Sequence, residues 1–217
     1  MSILNFSKNN IVKAGLMLGV FSIFGIGLVS VIYSLTHEQI AENERTLILK
    51  NLGELISPHW HDNDLLSDTI QITDRENLGS KNPITLYRAY KNSEPVAIIF
   101  TPVAPDGYSG SIRLLVAIMR DGQLAGVRVV SHRETPGLGD AIDTNKSNWV
   151  YSFNGLSLAN TLAAEWKVKR DGGRFDQFTG ATITPRAVTK AVYKTLTYYR
   201  ENEVALFAQN SAASTGE

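Results

Sequence analysis

The chain of 217 residues contains no cysteine. This absence excludes disulfides, thiolate metal ligands, cysteine nucleophiles and iron–sulfur clusters held by the chain itself. Redox chemistry would therefore require a bound organic cofactor, or a metal held by histidine and carboxylate. An excess of charge is also absent, because 21 Lys and Arg balance 21 Asp and Glu. Since nucleic-acid binding relies on a broad positive field, we expect no nucleic-acid partner.

Charged residues are also absent from residues 14–35, AGLMLGVFSIFGIGLVSVIYSL. About 20 apolar residues suffice to cross a bilayer as a helix. A secretory signal has a shorter apolar region and ends in a small-residue cleavage site, which the following YSLTHEQ does not offer. Lys8 and Lys13 precede the run, whereas acidic residues follow it before Arg45. The positive-inside rule therefore predicts a single-pass protein with a cytoplasmic N-terminus and its main part outside the cytoplasm.

The remaining periodicity predicts an α+β protein: a twisted antiparallel sheet with flanking helices. Strand-like runs occupy 68–72, 84–90 and 95–104, and residues 111–132 predict a hairpin turned at Asp121-Gly122. EWKVKRDGG (165–173) predicts one more strand. Residues 185–207 predict a helix, with Thr184 as its cap and Pro185 in its first turn. The predicted segments are a cytoplasmic N-terminus 1–13, a transmembrane helix 14–35, a juxtamembrane helix 36–57, a domain 58–207 and a disordered tail 208–217.

The segment before that last helix reads DQFTGATITPRAV, residues 176–188. A helix start presents unpaired backbone N–H groups and the positive end of the helix dipole, and so favours an anion. The residues alone leave two readings open. One is an ordinary turn followed by a helix cap, and the other is a place where a phosphate is held.

This segment resembles the flavinylation motif of the FMN-binding domain family. That family includes the G subunit of the Rnf (Rsx) electron-transport complex and the C subunit of the sodium-translocating NADH:quinone reductase. The resemblance implies a phosphoester between FMN and Thr182, with Thr179, Gly180 and Ala181 around the cofactor. It also implies that a magnesium-dependent flavin transferase reads Asp176 and uses FAD as donor.

A second block carries the same resemblance. GYSGSIRLLVAIMRDGQLAGVRVVSHRETPGLGD, residues 107–140, is similar to the family's glycine-rich turn, hairpin and flavin-facing loop. We call residues 134–139 the ETPGLG loop. The resemblance implies that its glycines approach the flavin, that Leu138 supplies an apolar contact, and that Glu134 or Thr135 supplies a hydrogen bond. The loop residues assigned to the cofactor are Glu134, Thr135, Gly137, Leu138 and Gly139.

The resemblance extends over nearly the whole chain, and the short length favours the Rnf member of the family. It implies an electron-carrying subunit of a ferredoxin:NAD oxidoreductase complex in the bacterial inner membrane, with its domain on the periplasmic side. The implied partners are the other membrane and iron–sulfur subunits. No GxGxxG fingerprint is seen, so we expect no catalysis by this chain on its own. The alternatives are the C subunit of the quinone reductase, and a non-redox membrane-anchored sensor or assembly domain.

Four other groups of residues remain as weaker candidates. His59 and His61 have a spacing that suits a metal, but no third ligand is evident. His132 either tunes the flavin or ends a strand with ordinary hydrogen bonds. The cations Lys167, Lys169, Arg170 and Arg174 are read as solvated strand ends or as partners of the FMN phosphate. Four aromatic residues are read as core, with stacking of one of them on the flavin as the alternative: Trp149, Tyr151, Phe153 and Trp166.

Overall fold

A computed structural model describes residues 2–208, without the side chains of residues 2–10, 41, 43–45 and 47. Met1 and residues 209–217, which include almost all of the predicted disordered tail, lie outside the described part. By internal contacts the chain forms two compact units, Met1–Leu47 and Ile48–Glu217.

The first unit is helical throughout its described residues. Helix α1 spans Ser2–Leu55, and its section Ile11–Ile40 has a mean hydropathy of 2.3 with none of its side chains buried. By length and composition this section can cross a membrane. The helix includes the predicted transmembrane segment and continues through most of the predicted juxtamembrane segment, ending before Pro58.

The second unit is built on an open six-stranded antiparallel sheet, which confirms the predicted α+β class. Its strands are β1 (Thr69–Ile72), β2 (Ile84–Lys91), β3 (Glu94–Phe100), β4 (Val103–Ala104), β5 (Ile112–Met119) and β6 (Leu124–Ser131). The order is β1-β2-β3-β5-β4, with β6 also paired to β5. The predicted run 95–104 is divided into β3 and β4 because Thr101 and Pro102 interrupt the ladder.

Two hairpin turns use positive φ angles. The predicted hairpin forms between β5 and β6, but only Gly122 takes a positive φ, +83°. Asp121 instead accepts the backbone N–H of Gln123 through its carboxylate at 3.0 Å. The two-residue turn between β2 and β3 was not predicted. Asn92 and Ser93 occupy it at φ +52° and +66°, as a type I′ turn requires.

The sheet is covered on both faces. Leu114, Val116 and Ile118 of β5 point into a core shared with helix α3 (Ile183–Ala208), whereas Leu115 and Ala117 point into a second core. The second core also contains Leu52 and Leu55 at the end of α1, and Ile56 directly after it. The alternation along β5 is what a strand buried on both faces requires. A one-turn helix preceding β2, α2 (Arg75–Leu78), packs beside α3.

The prediction of a strand over residues 165–173 is wrong. The chain there forms short 3-10 turns at Ala163–Glu165 and Lys169–Asp171, joined to Phe175 only by an isolated bridge from Val168. Val168 and Phe175 are buried, so the apolar spacing of the sequence reflects anchoring of a loop. Gly172, at φ +80°, reverses the chain before a second strand could form.

Aromatic side chains pack beneath this loop and the segment that follows it. Trp149 contacts Phe153, Phe175 and Phe178 through ring centroids 5.3–6.5 Å apart. Trp149, Phe153 and Trp166 are core residues as predicted, whereas Tyr151 is 39% exposed and lies over the Arg128 guanidinium. The cluster packs against the DQFTGAT segment through Phe178.

Candidate cofactor site

The ETPGLG loop leaves β6 through a histidine bridge. His132 accepts the backbone N–H of Glu134 at Nδ1 (3.0 Å), and its Nε2 lies 3.0 Å from a carboxylate oxygen of Asp143. Because Nδ1 is an acceptor, the ring proton is on Nε2 and is donated to Asp143. His132 therefore links the start of the loop to Asp143, at the end of the 3-10 helix that follows it, which is the ordinary strand-end role considered for it.

The loop then turns tightly on itself. The backbone N–H groups of Leu138 and Gly139 both reach the carbonyl oxygen of Thr135 at 3.1 Å. Gly137 adopts φ +78° and donates its N–H to Asp140 at 2.8 Å. This backbone leaves the Leu138 side chain 42% exposed at the surface. A 3-10 helix, Gly139–Ile142, then carries the chain back into the core.

The second wall of the site is a turn at Phe178–Ala181. The N–H of Ala181 donates to the carbonyl of Phe178 at 3.1 Å, and Gly180 has φ +80°. A positive φ at the third position is what a type II turn requires. Trp149 fixes the approach to this turn by donating its indole N–H to the carbonyl of Asp176 at 2.8 Å. Thr179 and Gly180 are exposed at the turn's tip.

Helix α3 begins at Ile183, so Thr182 precedes its first residue. Its backbone carbonyl accepts the N–H of Arg186 at 3.4 Å. Within residues 2–208, neither the Thr182 hydroxyl nor the backbone N–H groups of Ile183 and Thr184 have a hydrogen-bond partner. The half-buried hydroxyl thus lies at a helix start whose N–H groups are free to bind an anion.

Thr184 does not cap α3, and that prediction is wrong by two residues. Thr184 lies inside the first turn, fully buried, and its hydroxyl donates to Oε2 of Glu134. The predicted place of Pro185 in the first turn is confirmed. Both threonines, Thr182 and Thr184, lie shortly before or at the start of the helix, so the sequence could not show which one precedes it. They differ in their surroundings, because the Thr184 hydroxyl is bonded to Glu134 and the Thr182 hydroxyl is not.

Glu134 joins three segments through its carboxylate. Oε2 accepts the hydroxyl of Thr184, and Oε1 accepts the N–H of Ser109 at 3.0 Å, while the side chain is only 4% exposed. Gly139 packs so closely that a Cβ there would lie 2.9 Å from atoms of both Glu134 and Thr184. Glu134 therefore ties the ETPGLG loop to α3 and to the turn containing Ser109.

These segments enclose a cavity of about 360 Å³, which we call the Thr182 cavity. Its lining includes seven residues assigned to the cofactor from the sequence: Glu134, Thr135, Leu138, Gly139, Gly180, Ala181 and Thr182. Thr179, Gly137 and Asp176 do not line it. Tyr108, Ile183 and Thr184 do, and the sequence reasoning did not assign them. Only Tyr108 was traceable, as the aromatic residue inside the glycine-rich turn GYSG.

The cavity fits the lower part of the size range of small-molecule sites, and its walls are suited to a flavin. Leu138 and Ile183 supply apolar surface, and Gly139 and Gly180 allow close backbone approach. A Cβ on Gly180 would lie 3.3 Å from Leu138 Cδ2, so the two walls of the cavity meet at this glycine.

Charged pairs surround the turn outside the cavity. Lys169 pairs with the exposed carboxylate of Asp176 at 2.5 Å. Arg186, in the first turn of α3, donates two hydrogen bonds of 2.5 Å to Asp171. Those hydrogen bonds lower the pKa of Asp171 and raise the pKa of Arg186.

The two histidines of the pair have other contacts. His61 Nδ1 lies 2.9 Å from the carbonyl of Asn63, and the carbonyl of His59 accepts Lys91. Among the described residues, no cluster of three or more His, Cys, Asp or Glu side chains is arranged to hold a metal ion.

Comparison with known families assigns both parts of the chain. Residues 107–197 match the FMN-binding domain model, and residues 1–55 match the RnfG N-terminal region model. The first match begins at the turn containing Tyr108 and includes the ETPGLG loop, Thr182 and the start of α3.

Individual proteins agree with the family models. The chain is 46% identical over 204 residues to the G subunit of the ion-translocating oxidoreductase complex of Pseudoalteromonas atlantica, covering 94% of this chain and 95% of that protein. Identity to the corresponding proteins of Shewanella loihica and Vibrio cholerae is 45% over 199 residues and 46% over 197 residues. These matches cover 92% and 91% of this chain, and 94% of each relative. The helix long enough to span a membrane, the match to the FMN-binding domain and the identity to these relatives agree. The chain belongs to the RnfG family.

Proposed function

We propose that this chain carries electrons within an ion-translocating ferredoxin:NAD oxidoreductase complex, through FMN bound covalently by a phosphoester to Thr182. Its membership of the RnfG family and its FMN-binding domain support the electron-transport role. The observation that carries the covalent proposal is the Thr182 hydroxyl, which has no hydrogen-bond partner within residues 2–208 and lines the cavity at a helix start.

FMN supplies the redox chemistry, because it exchanges one or two electrons. The chain's residues orient it. The N–H groups at the start of α3 stabilise the negative charge of the phosphodiester. Leu138 and Ile183 would supply apolar contact to the flavin ring, and Gly139 and Gly180 would let the backbone approach it.

The hydrogen bond expected from Glu134 or Thr135 falls to Thr135. Both carboxylate oxygens of Glu134 are engaged by Ser109 and Thr184, and its side chain is buried. Thr135 is exposed and lines the cavity. Glu134 instead maintains the spacing between the two walls.

Loading is the work of a separate magnesium-dependent flavin transferase with FAD as donor. The Thr182 oxygen forms the new P–O bond, the diphosphate bond of FAD breaks, AMP leaves with the electron pair, and the hydroxyl proton is released. A threonine hydroxyl needs an activating base or metal. Within residues 2–208, no carboxylate is hydrogen-bonded to the Thr182 hydroxyl, which agrees with an external catalyst.

The anchor helix fits a single-pass protein of the inner membrane. We place the domain on the periplasmic side, from the two lysines before the span and the acidic residues after it. The other membrane and iron–sulfur subunits of the complex are the proposed partners of the loaded domain.

The test is flavin fluorescence on a denaturing gel after co-expression with the transferase. Wild type and Thr182→Ser should fluoresce, because both have a hydroxyl at the helix start, and Thr182→Ala should be dark. Thr73→Ala is the control, since it removes an exposed threonine hydroxyl outside both the motif and the cavity and should remain fluorescent. A dark wild-type band, with the transferase active on another substrate, would instead favour an anchored sensor or assembly domain.

A further inference from the structure

Residues 167–174, which we call the cationic loop, contain four cations and one anion in eight residues, although the net charge of the chain is zero. Lys167, Arg170 and Arg174 are exposed, and within residues 2–208 none of their side chains has a hydrogen bond or an ion pair. The carboxylates beside them are already engaged. Asp171 is paired with Arg186, and Asp176 with Lys169.

The cationic loop is held in one shape by its backbone. Lys169 donates its N–H to the carbonyl of Phe175 at 2.7 Å, and Phe175 donates to the carbonyl of Lys167 at 3.1 Å. Val168 and Phe175 are buried beneath it. A Cβ on Gly173 would clash with the carbonyl of Lys167, so the chain crosses itself here with no room for a side chain. The charges are thus presented by a preformed loop, which lowers the entropy cost of binding.

The cationic loop is continuous with the Thr182 segment. Lys169 bonds Asp176, the N–H of Arg170 donates to the side chain of Gln177 at 3.2 Å, and Asp171 bonds Arg186 of α3. The cationic loop is therefore joined to the segment that precedes Thr182 and to the first turn of α3 that follows it.

The mouth of the Thr182 cavity adds apolar surface to this region. Tyr108, Leu138 and Ile183 line the cavity and are 68%, 42% and 45% exposed. An apolar centre with a charged rim is the usual composition of a protein–protein interface. This composition favours a protein as the partner. A lipid surface would contact the exposed charges but would not reach the part-buried Thr182 hydroxyl.

We propose that the cationic loop is the docking surface for an acidic patch on the enzyme that loads the cofactor at Thr182. This inference rests on the proposed function, because it requires that Thr182 be modified. The loop steers and orients the enzyme, whereas the motif residues 176–182 are what its active site acts on. Charges at the rim of an interface act mainly on association, and salt screens them.

The test is in vitro loading of the full chain in detergent, with purified flavin transferase, magnesium and FAD. The variant is Lys167→Gln/Arg170→Gln/Arg174→Gln. The matched control is Lys50→Gln/Lys81→Gln/Arg200→Gln, which neutralises three exposed cations of the same unit that do not line the cavity. Initial rates against chain concentration give KM and kcat at low and high salt.

We expect the loop variant to raise KM about tenfold at low salt with kcat unchanged, and the control to match wild type. High salt should raise the wild-type KM to that of the variant. An unchanged KM in the loop variant, or an equal rise in the control, would overturn the proposal. So would normal loading combined with slower electron transfer in the assembled complex, because the loop would then serve an electron partner.

Failure of this inference is distinguishable from failure of the proposed function. If wild type is never loaded, the covalent site is wrong. If wild type and loop variant are loaded with the same KM, the covalent site stands and the docking surface is wrong. Binding of the transferase to Thr182→Ala, with and without the loop substitutions, provides a second readout that needs no flavin transfer. The loop substitutions should weaken that binding.

Discussion

The two walls of the Thr182 cavity are built in opposite ways. The ETPGLG loop is fixed by polar side chains, with the buried Glu134 bonded to Thr184 and Ser109, and the part-buried His132 bonded to the N–H of Glu134 and to Asp143. The segment 176–182 is fixed mainly through its backbone, and Asp176, Thr179 and Gly180 are exposed. One wall is therefore suited to holding a ligand in place. The other is suited to being reached by a second protein.

Removal of the Glu134 carboxylate should have the largest effect on stability. Glu134→Ala leaves the buried Thr184 hydroxyl without its acceptor, which costs about 1–3 kcal/mol, and also removes the hydrogen bond to the N–H of the exposed Ser109. We expect the free energy of unfolding to fall by about 3 kcal/mol, measured by urea denaturation. Glu201→Ala, at an exposed position of α3, is the control and should change it by less than about 0.5 kcal/mol. Equal effects of the two substitutions would contradict the role of Glu134 in tying the ETPGLG loop to α3.

The two cavity glycines should separate packing from backbone strain. Gly139→Ala places a methyl 2.9 Å from Glu134 and Thr184, and overpacking of this kind costs about 1–3 kcal/mol. Gly180→Ala meets only Leu138 at 3.3 Å but must keep φ +80°, which costs about 1 kcal/mol. The melting temperature of Gly139→Ala should therefore be lower than that of Gly180→Ala. The reverse order would show that the ETPGLG wall is less rigid than described.

The smallest effect should come from the exposed pair Asp171–Arg186. Its hydrogen bonds lower the pKa of Asp171, so the pair stabilises the fold above the ordinary carboxyl pKa. That contribution disappears as pH falls through the lowered pKa in the folded protein. NMR titration of the Asp171 carboxyl should show its pKa rising toward the ordinary value in Arg186→Gln. Because both groups are exposed, unfolding at neutral pH should barely change. An unchanged Asp171 pKa in the variant would contradict this pairing.

Sequence reasoning predicted the periodic elements well. The anchor helix, the β5–β6 hairpin and α3 follow from apolar spacing and from turn residues that act locally. It also assigned most residues of the Thr182 cavity, because the two motifs supply its walls. The false strand at 165–173 has the alternation of a strand, but its buried residues anchor a loop. No local signal distinguishes those cases.

The sequence did not predict which buried polar side chains are hydrogen-bonded to each other. Thr184 was read as a cap because its neighbours suit a helix start, and nothing nearby indicates that Glu134, 50 residues earlier, takes its hydroxyl. Tyr108 lies in the glycine-rich turn GYSG and could have been assigned from the motif, but only the folded chain shows that this turn reaches the Thr182 cavity. Long-range contacts of this kind depend on the packing of the sheet against α3.

The central claim is that Thr182 carries the flavin, and peptide mapping tests it most directly. Trypsin should release residues 175–186, FDQFTGATITPR, a peptide with three threonines in one stretch. After loading with FAD and transferase, fragmentation of this peptide by tandem mass spectrometry should place the added FMN phosphate on Thr182 alone. The modification on Thr179 or Thr184, or an unmodified peptide from a yellow protein, would contradict the account.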